Sequence, residues 1–109
     1  MTSFDDREKG YEKKFALDEE LQFKSMARRN KLLGLWAAEK MGLSGDDAQT
    51  YAREVVKADL EEPGEEDVFR KIRGDFDGKS IEQSDHQIRR AMADFMTEAL
   101  RQIEAEAKA

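Results

Sequence analysis

Residues 21–41 read LQFKSMARRNKLLGLWAAEKM, and their periodicity decides the fold class. Phe23, Met26, Leu33, Trp36, Ala37 and Met41 recur at steps near three and four, forming one stripe of a helix rather than the alternation of a strand. Leu32 and Leu35 widen that stripe. Gly42 follows its last apolar residue and suits the left-handed position that closes a helix. Gly34, inside the stripe, lowers helix propensity and marks a place where a neighbouring helix can come close.

The pattern repeats downstream. Ser44 with Asp47 three residues on has the form of a helix-starting capping box. Ala48, Tyr51, Ala52, Val55, Val56 and Leu60 then recur at helical steps, until Glu62-Pro63-Gly64 stops the run. Glu65, Glu66 and Asp67 place negative charge at the electropositive start of a third helix, whose apolar face is Val68, Phe69, Ile72 and Phe76. Gly78 is the expected stop. Ser80 and Ser84, each followed three residues later by Gln, both qualify to cap a last helix striped by Ile88, Met92, Phe95, Ala99 and Ile103. No run alternates in the manner of a strand. The expectation is an all-α protein: a compact four-helix bundle over residues 19–109, with a mobile or partly helical N-terminal segment over residues 1–18.

Composition bounds the function. The chain has 109 residues, of which 40% are charged, and a formal net charge of −6. Such an acidic balance argues against nucleic-acid binding, which needs a basic surface to neutralise phosphates. The basic excess is local, +4 over residues 22–40. With no cysteine, thiol chemistry and disulfides are excluded. No apolar run has membrane-spanning length and the N-terminus lacks a signal-type apolar core, so a cytoplasmic protein without direct membrane insertion is expected.

Several short matches to chemical motifs fail on inspection. GDFDGKS, residues 74–80, has three residues where a phosphate-binding loop needs four, and its two carboxylates would repel phosphate. Asp75 and Asp77 are only a fragment of a calcium loop. His86 is the sole histidine and, with no cysteine, makes a poor metal site. Ser84, Asp85 and His86 are sequential neighbours, whereas a hydrolytic triad is assembled in space. No catalytic residue, metal site or cofactor is expected.

Two features carry a functional reading. Lys24, Arg28 and Lys31 share one helix face, with Arg29 beside them. They form either a solvated, ion-paired surface or a contact for an acidic partner, a small anion or a nucleotide. Phe4, Tyr11 and Phe15, spaced seven and four apart, would align on a helix rich in charge. Gly10 lowers the helix propensity of that segment by about 1 kcal/mol relative to Ala. The segment either extends the first helix and packs on the bundle, or folds upon a groove of a partner.

The runs FDDRE, KFALDEEL, ARRNKLLG and EPGEEDVF, spread over a chain that matches throughout, resemble the zeta subunit family of the alphaproteobacterial F-type ATP synthase. The resemblance implies a four-helix bundle with a mobile N-terminal segment, no enzymatic activity, and inhibition of ATP hydrolysis. It implies that the segment inserts into the catalytic head of the synthase and blocks rotation in the hydrolytic direction. Carried onto this chain, the inhibitory element is Phe4, Asp5, Asp6, Arg7, Glu8, Tyr11, Lys14 and Phe15. The protein would be peripheral to the membrane-bound synthase when bound and monomeric when free. A bundle that senses an anion or nucleotide through Lys24, Arg28, Arg29 and Lys31 is the rival reading.

Overall fold

One glycine and one serine mark where the first and third helices stop. The computed structural model contains α1 (Thr2–Lys40), α2 (Gly45–Glu61), α3 (Glu65–Gly78) and α4 (Asp85–Lys108). It describes residues 19–60 and 64–108 in full, and of residues 2–18 and 61 it gives the helical backbone alone. At the end of α1, Gly42 takes φ +78°. Its N–H donates to the Glu39 carbonyl at 3.0 Å, and the Leu43 N–H to that of Ala38 at 2.8 Å. These two bonds satisfy carbonyls the helix would otherwise strand, and Leu43 then packs on the core.

The same stop recurs at the end of α3, displaced from Gly78. Ser80 holds the left-handed conformation, φ +56°. Its N–H donates to the Asp77 carbonyl at 3.2 Å, and that of Ile81 to Phe76 at 2.9 Å. Gly78 is the last helical residue rather than the reversal point, and Ile81, three residues beyond the helix end, lies against the core as Leu43 does. Of the two serines that qualified as caps, Ser84 starts α4. Its Oγ accepts from the Gln87 N–H at 3.1 Å, while Gln87 Oε1 accepts from the Ser84 N–H at 2.9 Å. That reciprocal pair is a capping box.

Helix α1 lies against both α2 and α4, and α3 closes the bundle between them. The core is Leu33, Ala37 and Ala38 of α1, Tyr51 and Val55 of α2, Val68, Phe69, Ile72 and Phe76 of α3, and Ile88, Ala91 and Met92 of α4. Each fully buried Leu, Ile or Phe contributes about 1.5–3 kcal/mol through removal from water. Trp36 adds tilted ring contacts to Phe76 (5.8 Å) and Phe95 (6.5 Å), joining three helices. Gly34 lets α1 and α2 approach: a Cβ there would lie 2.7 Å from the Ala52 Cα.

Polar clamps fix the remaining contacts. The Tyr51 hydroxyl donates to Asp75 at 2.7 Å, and burial, reinforced by that carboxylate, holds the phenol well above its usual pKa. Arg89 grips Glu66 with two bonds of 2.9 and 3.1 Å while its guanidinium lies 4.0 Å above the Phe69 ring. Arg73 spans the α3–α4 connection, donating to the Gln83 carbonyl at 2.6 Å and to Asp85 at 3.2 Å.

One end of the bundle departs from the predicted stripes. Phe23 is 60% exposed and Leu60 is 56% exposed, although both belong to expected apolar faces. Ser25, Arg29, Asn30 and Asp59 are buried instead. The buried line of α1 runs back from Ala37 and Leu33 in steps of four to Arg29 and Ser25. That of α2 runs forward from Tyr51 and Val55 to Asp59. Phe23 and Leu60 lie off those lines by one or two residues, which turns their side chains outward.

Candidate functional site

The buried polar residues at this end form a connected network. Arg29 Nε donates to Asn30 Oδ1 at 2.8 Å, Asn30 Nδ2 donates to Asp59 Oδ2 at 3.0 Å, and the Gly64 N–H donates to Asp59 Oδ1 at 3.3 Å. Arg29 Nη1 reaches Glu65 at 3.2 Å, and its Nη2 is buried with no hydrogen-bond partner among the described residues. The network ties α1 to the end of α2 and to the start of α3. An unpaired buried donor costs about 1–3 kcal/mol, so this corner is held by polar geometry at some expense. Sequence reasoning left Asn30 and Asp59 out and gave Glu65 only a place at the start of α3. The available signal was phase: Arg29 sits four residues before Leu33, and Asp59 four after Val55, on the apolar lines themselves.

The predicted basic group is only partly assembled. Lys24, Arg28 and Lys31 line one groove of about 610 Å³ between α1, α2 and α4, together with Phe23, Val56 and Ile103. Arg29, 1% exposed, faces the interior and takes no part in that surface. Arg28 is already engaged across the groove: its two terminal nitrogens meet the Glu106 carboxylate at 2.9 and 3.1 Å, and Nη1 also donates to Gln102 at 2.8 Å. That partner holds the Glu106 carboxyl below the usual carboxylate range. Among the described residues Lys24 has only a loose, exposed contact with Glu20 at 3.9 Å, worth little in water.

The groups that mimicked chemical motifs have structural employment. Asp75 accepts from Tyr51 and Lys71, and Asp77 from Arg73. The Ser84 hydroxyl is committed to its cap, and His86 is exposed in the first turn of α4. Among the described residues no three His, Asp or Glu side chains come together as metal ligands, and no helix is long and apolar enough to cross a membrane. Phe4, Asp5, Asp6, Arg7, Glu8, Tyr11, Lys14 and Phe15 lie outside the residues whose side chains the structure describes.

With the bundle's geometry established, comparison with known proteins decides its kinship. A family model described as ATPase inhibitor subunit zeta matches residues 1–102. The chain belongs to that family. A zeta-family chain is an ATPase inhibitor, a regulatory protein associated with the ATP synthase and not an enzyme itself. A structure solved by NMR in solution is 52% identical and has a TM-score of 0.70, over 79% of this chain and 98% of its own. That similarity agrees with the all-helical fold of this zeta-family member. No protein of curated function matches.

Proposed function

We propose that residues 1–18 form the inhibitory element and residues 19–109 the bundle that carries it. In this reading the segment enters the catalytic head of the F-type ATP synthase as a helix and blocks rotation in the hydrolytic direction. The observation that carries the reading is that the family match begins at residue 1 and so includes the segment. Phe4, Tyr11 and Phe15 are the anchors suited to apolar pockets between subunits, because rigid aromatics dominate interface energies. Asp5, Asp6, Arg7, Glu8 and Lys14 set register and speed encounter more than they add affinity. The wedge obstructs subunit closure and needs no chemistry of its own. The free protein acts as a cytoplasmic monomer that joins the synthase peripherally.

The rival, an anion or nucleotide sensor, draws less support. Arg29 points inward and Arg28 is engaged by Glu106 and Gln102, which leaves Lys24 and Lys31 as the basic walls of the groove.

The test is ATP hydrolysis by the matching purified ATPase. Full-length protein is expected to inhibit at saturation, and removal of residues 1–18 to abolish inhibition while leaving the bundle helical. Substituting Phe4, Tyr11 and Phe15 together by Ala should weaken inhibition at least tenfold. Full inhibition by the truncated chain would overturn the proposal.

A further inference from the structure

The corner where Arg29, Asn30 and Asp59 are buried and Phe23 and Leu60 are exposed is inverted relative to an ordinary helical core. Folding alone gains nothing from that inversion, since polar burial is costly and two large apolar side chains stay in water. The inversion also assembles a surface. Phe23, Ala27 and Val56 line two adjoining grooves, one extending toward Ile103 of α4 and the other toward Leu60 and Met26.

We propose that this surface docks an acidic amphipathic helix of a partner protein. Lys24, Arg28 and Lys31 stand along one wall at steps of four and three, a length of about 10 Å along α1. A helix lying parallel to α1 presents carboxylates at the same spacing when Glu or Asp occupies matching positions one turn apart. Its adjacent apolar stripe meets Phe23, Val56 and Leu60, as an amphipathic helix fills an apolar groove. The charge balance selects the acidic occupant: Arg28 is engaged by Glu106 and Lys24 meets Glu20 only loosely at 3.9 Å, so Lys24 and Lys31 face the groove with little compensation.

Other occupants fit less well. A second copy could not offer the α3 carboxylates Glu66, Asp75 and Asp77, which are committed to internal partners. An anionic lipid surface would repel a chain of net charge −6. Every residue of this surface lies in the bundle, so the proposal is independent of residues 1–18 and stands or falls separately from their role in inhibition.

The probe is a fluorescein-labelled helical peptide with a Leu/Phe stripe flanked by Glu, compared with one in which each Glu is Lys. Anisotropy against the full chain should show the acidic peptide binding at least tenfold tighter. Amide shifts should concentrate at Phe23–Lys31, Val56, Leu60 and Ile103. The double variants F23S/L60Q and K24E/K31E, all at exposed positions, should each weaken binding at least tenfold with helicity unchanged. Equal binding of both peptides, or shifts elsewhere, would overturn the proposal. So would displacement by ATP or inorganic phosphate with F23S/L60Q binding normally, which assigns the groove to a small anion. Concentration-dependent dimerisation relieved by the same variants would assign it to a second copy and equally refute the partner helix.

Discussion

Ser80 occupies a conformation that a glycine would hold at lower cost. A side chain at φ +56° is strained by about 1–2 kcal/mol through its Cβ, and Ser80 has no glycine's freedom to avoid it. Ser80→Gly is therefore expected to stabilise the fold by about 0.5–1 kcal/mol, the relief exceeding the entropy glycine adds to the unfolded chain. A higher urea midpoint at unchanged slope would show it. This residue also marks a limit of what could be read from the chain. Gly78 had the right chemistry for the stop, but the reversal came two residues later, where the chain carries Ile81 onto the core. Gly42 was legible because the demanded conformation and the permissive residue coincide there.

At the scale of elements, the stripes of α3 and α4 were legible almost residue by residue, since each helix has one apolar face and a defined start or stop. Those of α1 and α2 were legible only at their adjoining halves. Toward Arg29 and Asp59 the inward face carries polar residues whose partners lie about thirty positions away. Periodicity within one helix holds no trace of such pairing, and Phe23 and Leu60 attract the reader to the wrong face. The basic group suffered the same ambiguity: adjacent residues on a helix point about 100° apart, so Arg28 and Arg29 parted to surface and interior. Where the two halves meet, Gly34 is the hinge of the packing. Gly34→Ala improves helix propensity by about 1 kcal/mol but places a methyl 2.7 Å from backbone of α2. The helices must separate, and the expected net effect is destabilisation of about 1–2 kcal/mol with a fall in Tm of several degrees. An unchanged or higher Tm would contradict the close approach.

Across the whole molecule, exposed carboxylates make the bundle sensitive to acid. Hydrogen bonds from Arg89 lower the pKa of Glu66, those from Arg28 lower that of Glu106, and those from Arg101 and Gln102 lower that of Glu98 to about 2. A lowered folded pKa favours the native state above the ordinary carboxylate value of 4.5, and the benefit fades as pH falls through the folded value. The urea midpoint is therefore expected to drop between pH 5 and about 2, and molar salt should shrink that drop because these pairs face solvent. Arg28–Glu106 and Arg89–Glu66 join α4 to α1 and α3, so acid loosens the docking of the last helix in particular. The single tryptophan offers a separate window on the molecule. Trp36 sits among aromatic rings of α3 and α4, seventeen helical residues or about 25 Å along α1 from Glu19. Its emission is thus an optical gauge of the bundle, blind at that range to what grips the opening residues. A fluorophore placed near residue 4 would report the converse, and together the two colours would separate the proposed capture of residues 1–18 by the synthase from melting of the bundle.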